Sequence, residues 1–247
     1  MTRKKIFLMS EDRSFFIDEG KDVNTEFGII KATQLKRAKR GSALSTHKGK
    51  RFFVVEPTME DLSRKIIRLP QIITLKDLGS VLTYGGLRSD SKILDVGTGS
   101  GFAACVMGEF ARNGKVISYE IRKDFARVAK KNVELFGLDN VKIINTDIKK
   151  GVGRRGFDFA LIDLPEPWSV MPVISPSVAV GGMICSYVPS IIQVEKLLRS
   201  IKGDLKIIRV IQNLQINWKN DVKRDILRPE TSGLIHTGFL VFLRRIG

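Results

Sequence analysis

Cysteine and histidine are scarce in this sequence. Its 247 residues include two cysteines, Cys105 and Cys185, and two histidines. Each cysteine lies in an apolar stretch that is typical of buried structure. Two cysteines cannot build a disulfide framework, and so few ligands of either type make a zinc site improbable. We therefore expect both cysteines to be small core side chains, and we expect no bound metal ion.

Long apolar segments are also missing. No run of about 18 apolar residues occurs, which excludes a membrane-spanning helix of ordinary length. Near the start of the sequence the apolar run is Ile6–Met9, which is too short for the core of a signal peptide. We expect a cytoplasmic protein. Its length suits one large domain, or a catalytic domain with a small appendage.

Acidic residues are absent from the stretch Lys31–Arg51. Its cations are Lys31, Lys36, Arg37, Lys39, Arg40, Lys48, Lys50 and Arg51. A second basic cluster is "KKGVGRR" at 149–155, and the whole chain has a formal net charge of +16. This excess favours a polyanionic partner. A solvated surface in a generally basic protein remains the alternative interpretation.

Two patterns of hydrophobicity divide the chain. Residues 1–60 contain the short apolar runs "KIFLM", "SFFID", "FGIIKA" and "RFFVVEP" between turn residues, which predicts a small basic β-rich domain. Residues 61–247 begin with helical patterns, including one at Lys76–Leu87, and then alternate between strands and helices. Such alternation is typical of a doubly wound, mostly parallel α/β sheet of the Rossmann-like type.

Seven strands and three main helices are predicted in this second region. The strands are at 92–96, 115–120, 141–145, 157–163, 182–188, 205–212 and 233–245, and the helices are at 101–112, 122–137 and 190–203. Gly137 and Gly203 are expected to end the last two helices, since glycine adopts the left-handed cap conformation without strain. The last two strands are expected to pair as an antiparallel edge of the sheet.

A glycine-rich turn follows the first of these strands. It reads "DVGTGSG" at 95–101, so that glycines alternate and an aspartate precedes them. Glycines let a backbone turn tightly and approach a ligand closely, and the following helix presents its amino end to that ligand. The spacing differs from the G-x-G-x-x-G of dinucleotide-binding folds. That difference, and the lack of a hydride-transfer partner, disfavours an NAD-dependent oxidoreductase.

Four acids fall at or just beyond the carboxyl ends of four successive strands. They are Asp95, Glu120, Asp147 and Asp163. Open α/β sheets bind ligands at that edge. Glu120 is placed to accept hydrogen bonds from ribose hydroxyls, and Asp147 from an adenine amino group. Solvated loop acids are the alternative, although four in register make it less plausible.

This combination resembles the class I S-adenosylmethionine-dependent methyltransferases. The resemblance implies S-adenosylmethionine as the cofactor, with Gly97–Gly101 at its methionine and sugar portions, Glu120 at the ribose and Phe125 flanking the adenine. Asp147 and Ile148 would hold the adenine edge. The full set of implied cofactor-binding residues is Asp95, Gly97, Thr98, Gly99, Ser100, Gly101, Glu120, Phe125, Asp147, Ile148 and Asp163.

The fourth strand is followed by "DLPEPW" at 163–168. Base-modifying methyltransferases often place a polar residue, prolines and an aromatic there. A base must leave its stack to be methylated, so its pocket supplies hydrogen bonds and a stacking face instead. Asp163 would accept from the exocyclic amine of adenine and so favour methylation at N1. Trp168 would wall the pocket, or else pack in the core.

The chain is similar over nearly its whole length to the tRNA (adenine-N1)-methyltransferase family. The similarity lies in "THKGKRFFVVEPT", "QIITLKD", "DLPEPW", "SYVPSIIQVEKL" and "RPETSGLIHTGFLVFLRR". It implies a homotetramer that methylates adenine 58 in the T loop of tRNA, as the family does, with adenine 57 as a further target in some members. It maps the catalytic acid onto Asp163 and a substrate-pocket tyrosine onto Tyr187. Where relatives often carry an aromatic residue, this chain has Thr74.

Other interpretations stay open at this stage. Enzymes that methylate N7 of guanine in tRNA also use a P-x-P-W loop, although they lack the basic β module. A non-catalytic tRNA-binding subunit is a second alternative, although such subunits can lose the cofactor acids that are present here. His236 is interpreted as a hydrogen-bonded strand residue. Lys36, Arg37, Lys39 and Arg40 are the predicted tRNA contacts in the basic stretch.

Overall fold

The chain folds into two compact units. A computed structural model describes residues 5–18, 20–69, 71–230 and 236–247, and the units divide between Lys65 and Ile66. The sequence pattern predicts a division after residue 60. The helix that follows belongs instead with the first unit, where Lys65 Nζ donates a hydrogen bond to the carbonyl oxygen of Ser14. Among the described residues, no helix is long and apolar enough to cross a bilayer.

The first unit is built on a small antiparallel sheet. Its elements are β1 (Lys5–Met9), β2 (Ser14–Asp18), β3 (Val23–Thr25), β4 (Gly28–Ile30), α1 (Ala32–Arg37), β5 (Ala43–Ser45), β6 (Arg51–Val54) and α2 (Met59–Lys65). Four strands form a sheet in the order β2-β1-β6-β5, and β3 pairs with β4 as a hairpin. The predicted β-rich character is therefore present, but the helix α1 is an element that the strand pattern does not predict.

The core of the first unit follows from strand periodicity. In β6 the side chains of Phe52 and Val54 are buried while Phe53 is exposed, as expected where successive side chains alternate between faces. Leu35 is fully buried and attaches α1 to this core. The opposite side of α1 is left to solvent.

The second unit contains the larger sheet. Its elements are α3 (Leu75–Tyr84), β7 (Lys92–Val96), α4 (Phe102–Phe110), β8 (Lys115–Glu120), α5 (Lys123–Phe136), β9 (Val141–Asn145), β10 (Phe157–Ile162), α6 (Met171–Ile174), β11 (Val178–Val188), α7 (Ile191–Ser200), β12 (Leu205–Ile211), β13 (Trp218–Asp221), β14 (Ile226–Pro229) and β15 (Phe239–Arg245). Seven strands form one sheet in the order β12-β15-β11-β10-β7-β8-β9.

The sheet confirms the predicted Rossmann-like class. Strands β11, β10, β7, β8 and β9 run parallel, and β15 lies antiparallel between β11 and β12. The central strands β7, β8 and β10 are buried along most of their length, as expected of a sheet covered on both faces. Cys105 and Cys185 are fully buried free thiols, which confirms their interpretation as core residues.

Several boundaries differ from the predicted ones. β11 begins at Val178 rather than 182, because Val178 already pairs with Phe157 of β10 before a register shift, after which pairing resumes at Met183. α7 ends at Ser200 with Ile201 as its cap, so Gly203 belongs to the turn that follows. β15 begins at Phe239, and residues 233–235 of its predicted span lie outside the described residues. The hairpin of β13 and β14 is not predicted by the sequence pattern.

Candidate active site

The sheet order creates a crevice beside β7. β8 lies on one side of β7 in the sheet, and β10 lies on the other side. The segments that follow β7 and β10 therefore lead away in opposite directions at the carboxyl edge of the sheet, which leaves a crevice between them. The backbone amide of Asp163 donates to the carbonyl of Val96 at 2.8 Å and joins the two strand ends. The crevice therefore lies at the sheet edge where the sequence predicts a ligand.

The glycine loop needs glycine for two distinct reasons. Gly97 has φ +91°, and a Cβ at this position would collide with the carbonyl oxygen of Asp163. Gly101 has φ +80°, and its Cβ would lie 2.9 Å from the Cβ of Ala129 on α5. The first glycine thus allows the two loops to meet, and the second allows α4 to pack closely on α5.

Asp95 lies beneath this loop rather than in the crevice. Its side chain is 1% exposed and accepts a hydrogen bond from Ser118 Oγ, which also bonds to Thr98 Oγ1. Burial raises the pKa of Asp95 to about 6, and the Glu120 carboxylate adds to the effect. The side chains of Thr98 and Ser100 are buried as well. The sequence predicts that the side chains of Asp95, Thr98 and Ser100 contact the cofactor. In the structure these side chains lie buried beneath the glycine loop and support it.

Glu120 ends β8 and faces the crevice. Its Oε2 accepts from the backbone amide of Gly99, and its Oε1 accepts from that of Arg122, both at 2.9 Å. These two bonds fix the carboxylate and tie it to the glycine loop. Each carboxylate oxygen can accept more than one hydrogen bond, so capacity remains for a ligand.

Three further predicted residues, Phe125, Asp147 and Ile148, border the crevice beside Glu120. Phe125 is half-buried on α5, with the guanidinium carbon of Arg122 3.1 Å from the centre of its ring. Asp147 begins a short 3₁₀ turn, where its Oδ1 accepts from the amide of Lys149 at 2.9 Å. The side chain of Ile148 packs into the core. An aromatic face and an acceptor edge therefore lie beside Glu120.

These groups line a cavity of about 770 Å³. Its described lining includes Gly97, Gly99, Glu120, Phe125, Asp147, Ile148, Asp163 and Tyr187. This volume suits a nucleoside-sized ligand together with a second planar group. The structure thus brings together predicted residues from the carboxyl ends of β8 and β11 and from the segments that follow β7, β8, β9 and β10.

Asp163 is the partly buried acid on the β10 side of the cavity. Burial, with a smaller contribution from the carboxylates of Asp95 and Glu120, raises its pKa to about 7. An acid in this state is stabilised by any cation or hydrogen-bond donor that enters the cavity. Perturbed acids in clefts are typical of functional sites.

Tyr187 lies across from this acid near the end of β11. Its hydroxyl donates to the backbone carbonyl of Thr237 at 2.6 Å. Burial raises the pKa of Tyr187 to about 12, which keeps the hydroxyl protonated. The two residues that the family resemblance assigns to the substrate side therefore share one cavity.

Comparison with known proteins identifies the family. Residues 50–227 match the model of the tRNA methyltransferase complex GCD14 subunit. This match covers well over half of the chain. The chain belongs to the GCD14 tRNA methyltransferase family.

Similar proteins carry related names. The chain is 29% identical over 253 residues to the tRNA (adenine(57)-N(1)/adenine(58)-N(1))-methyltransferase TrmI of Methanocaldococcus jannaschii, covering 89% of this chain and 86% of the relative. Among solved structures, tRNA (m1A58) methyltransferase TrmI from Aquifex aeolicus is 28% identical, with a TM-score of 0.76 over 99% of this chain and 97% of that one. A SAM-dependent O-methyltransferase from Thermotoga maritima is 27% identical, with a TM-score of 0.82 over 100% and 94%.

Trp168 does not follow the expectation of a pocket wall in this GCD14-family chain. It is half-buried in a 3₁₀ turn, where its ring packs against the hydrophobic core. The Nζ of Lys196 lies 5.9 Å from the ring centre. Trp168 is not among the described residues that line the cavity. The short turn at Pro167–Ser169 rotates the indole inward, so the alternative core interpretation fits this structure better.

The GCD14-family site also uses residues that sequence reasoning missed. Gln193 on α7 donates from Nε2 to the carbonyl of Pro165 at 2.9 Å, which holds the "DLPEPW" loop. Its Oε1 accepts from the amide of Ser190, completing a capping box. The S-x-x-Q spacing could have revealed this cap. Gln71, a non-glycine residue at φ +62°, lines the cavity and has no comparable signal.

The remaining predicted residues lie elsewhere. Thr74 caps α3, donates to Asp77 Oδ2 at 2.9 Å, and is not among the described cavity residues. His236 bonds through its two ring nitrogens to Gln212 and to the carbonyl of Pro189. In the first unit, exposed cations occupy the end of α1 and the residues that follow it, namely Lys36, Arg37, Lys39 and Arg40.

Proposed function

We propose that this chain transfers a methyl group from S-adenosylmethionine to N1 of an adenine in the T loop of tRNA. Adenine 58 is the proposed target, with adenine 57 as the additional position to be tested. The observation that carries this proposal is the cavity that joins Glu120 and Phe125 at one end to Asp163 and Tyr187 at the other. The names of the relatives support the same reaction.

The donors and shapes around the cavity fit S-adenosylmethionine. When bound, it supplies a methyl group on a positively charged sulfur. Glu120 keeps acceptor capacity for two ribose hydroxyls, and Phe125 offers a face to the adenine ring. Asp147 keeps one carboxylate oxygen for the adenine amino group. The carboxylates of Glu120 and Asp163 both border the cavity and repel each other, and a cation bound beside them would relieve that repulsion.

Asp163 has the central part on the substrate side. Its carboxylate accepts a hydrogen bond from the exocyclic amine of the target adenine and so turns N1 toward the methyl group. N1 becomes positively charged as the methyl group arrives, and a fixed carboxylate stabilises that charge in a partly dry site. Tyr187 and Pro165 provide walls that replace lost stacking when the base leaves the T loop.

Cations of the first unit supply the grip on tRNA in this proposal. Lys36, Arg37, Lys39 and Arg40 are exposed and carry no neighbouring acid in sequence between residues 31 and 51. Exposed cations of this density bind phosphates without reading bases. We place the reaction in the cytoplasm, since two buried free thiols suit a reducing compartment.

We also propose that the protein is a homo-oligomer, with a homotetramer as the expected form. β12 lies at one edge of the large sheet. Exposed apolar side chains are concentrated there and in the β13–β14 hairpin, namely Ile207, Ile208, Val210, Leu214, Ile216, Trp218, Val222 and Leu227. Exposed apolar side chains beside an open strand edge favour association. Native mass spectrometry tests this, and a monomer at micromolar concentration would overturn it.

The reaction is tested with unmodified tRNA transcripts. Purified protein, S-adenosylmethionine and transcript are incubated, and the digested nucleosides are identified by mass spectrometry. We expect N1-methyladenine, with a reverse-transcription stop at position 58 that disappears when that adenine is replaced. N7-methylguanine would support the rival tRNA enzyme, and a ribose-methylated product would support O-methylation. Failure to bind S-adenosylmethionine would point to a non-catalytic subunit.

A further inference from the structure

The ring of Tyr187 packs on Gly238, which immediately precedes β15, the strand that pairs with β11. A Cβ placed on Gly238 would lie 2.6 Å from Cζ, 2.8 Å from Cε2 and 2.8 Å from the hydroxyl oxygen of Tyr187. Real Cβ atoms do not approach other atoms this closely. The ring therefore packs directly on the backbone of Gly238, with no room for any side chain there.

The residue before this glycine holds the hydroxyl of the same ring. Tyr187 donates its one hydroxyl hydrogen to the carbonyl of Thr237. A phenol hydroxyl has a single hydrogen, so the oxygen presents only lone pairs to its remaining surroundings. Thr237 and Gly238 thus set both the position of the ring and the direction of its hydroxyl.

A buried polar cluster anchors Thr237 in turn. Asp77 is fully buried and its Oδ2 accepts from Thr237 Oγ1 at 2.7 Å. Its carboxylate also accepts from Lys76 Nζ, Asn213 Nδ2 and Thr74 Oγ1, at distances of 2.9 to 3.0 Å. Lys76 Nζ reaches Thr237 Oγ1 as well, at 2.6 Å.

Such a cluster is a costly way to fill a core. A buried ion pair contributes little stability compared with well-packed apolar side chains, because both charges must lose their water. A buried polar cluster instead fixes one geometry when all of its polar groups are hydrogen-bonded. The carboxylate here receives four different donors, so the loop at Thr237 is held in one place.

We propose that Gly238, Thr237 and Asp77 are positioning residues that act on methyl transfer through Tyr187. This inference rests on the proposed function. Asp77, Thr237 and Gly238 form a seat for the Tyr187 ring. This seat keeps the ring against the target base while Asp163 binds the polar edge of that base. The seat lies on the substrate side of the cavity, so its loss affects transfer to tRNA more than binding of S-adenosylmethionine.

A double-mutant cycle tests the seat. Single-turnover methyl transfer and S-adenosylmethionine affinity are measured for Gly238→Ala, Tyr187→Ala and the double variant. Gly238→Ala is expected to slow transfer by about tenfold or more with cofactor affinity unchanged, because misplacement by about 1 Å can cost that much. In the Tyr187→Ala background the ring is gone, so Gly238→Ala is expected to change the rate by less than about twofold.

Two further variants keep the result decisive. Gly79→Ala on α3 is the matched control, since its Cβ meets nothing within 4 Å, and it should behave as wild type. If Gly238→Ala fails to fold, Thr237→Val takes its place in the same double-mutant cycle. This variant removes the hydrogen bond from Thr237 to Asp77. Equal losses in both backgrounds would overturn this inference while leaving the proposed function in place. A wild-type chain that methylates no tRNA would overturn the proposed function, and this inference with it.

Discussion

The acids of the second unit and the cations of the first unit differ in how firmly the fold holds them. Glu120 is 6% exposed, and both of its carboxylate oxygens accept hydrogen bonds from backbone amides. Asp95 is held by Ser118 in the core. The cations at the end of α1 and just beyond it, Lys36, Arg37, Lys39 and Arg40, are exposed on a short helix and its following turn.

This difference separates two kinds of recognition. A carboxylate with fixed bonds has one geometry, which suits the recognition of individual atoms of one ligand. Exposed lysine and arginine side chains keep most of their rotamer freedom, so they contribute an electrostatic field more than a defined contact. We expect single substitutions among the acids to have large and specific effects. Substitutions among the cations should have small effects that add together and depend on salt.

The largest expected effect is at Asp163. Asp163→Ala should reduce single-turnover methyl transfer by about a thousandfold, because it removes both the orienting acceptor and the charge that stabilises methylated adenine. S-adenosylmethionine affinity, measured by calorimetry, should change by only a few-fold. Asp139→Ala is a suitable control, since this aspartate is exposed and lies outside the cavity lining. Full activity in Asp163→Ala would show that the acid has no catalytic part.

The next effect is at Glu120 and concerns binding. Glu120→Ala removes acceptors for the ribose and also releases the amide of Gly99. S-adenosylmethionine binding should weaken by about 1.5–3 kcal/mol, or about 10- to 150-fold in Kd. Calorimetry at constant ionic strength measures it. An unchanged Kd would mean that the ribose lies elsewhere and that the carboxylate only supports the loop.

A third effect concerns the pH dependence of stability. The pKa of Asp163 is raised from 3.8 to about 7, so the folded chain binds this proton more tightly than the unfolded chain does. The contribution of the protonated Asp163 carboxyl to the free energy of unfolding is fully present below about pH 4 and is lost as pH rises through about 7. Asp163→Asn cannot ionise, so it should be more stable than wild type by about 1–3 kcal/mol at pH 8.

The same comparison should vanish in acid. At pH 4 the carboxyl of wild type is largely protonated in the folded state, and the two chains should have nearly equal free energies of unfolding. Urea unfolding at both pH values measures the difference. A difference of the same size at both pH values would show that the gain comes from packing and that burial of the charge is not its source.

The positions of the acids were readable from the sequence because strand ends fix them. Glu120 and Asp163 follow strands whose apolar residues mark their bounds, and parallel strands bring their carboxyl ends to one edge. What the pattern does not give is the direction of each side chain. Asp95 turns beneath the loop because Ser118 on the next strand bonds to it. Trp168 turns into the core.

Contacts between segments far apart in sequence were harder to predict. The position of Tyr187 depends on Thr237 and Gly238, just before β15, and on Asp77 in a helix more than a hundred positions earlier. No local sequence spacing predicts these contacts. The helix α1 was also missed, since its six residues include one fully buried side chain, Leu35, and give no periodic signal. Tertiary packing, and not local propensity, decides such short elements.

The smallest effect is expected for the cations. Replacing Lys36, Arg37, Lys39 and Arg40 with alanine should weaken tRNA binding and flatten its dependence on log salt concentration by about one unit for each phosphate that is no longer bound. S-adenosylmethionine affinity should stay the same, because these residues belong to the first unit whereas the described cavity lining belongs to the second. Filter binding at several salt concentrations measures the slope.

A matched set of cations shows whether position matters or only total charge. Lys92, Lys115 and Lys142 are exposed near the amino ends of β7, β8 and β9, at the sheet edge opposite the carboxyl-end loops. Alanine at these three positions lowers the net charge without touching the first unit, so we expect a smaller change in slope per charge removed. Equal changes per charge in both sets would mean that tRNA responds only to the overall field of a chain with net charge +16. A larger change per charge in the first set would instead assign the phosphate grip to the end of α1 and the residues just after it.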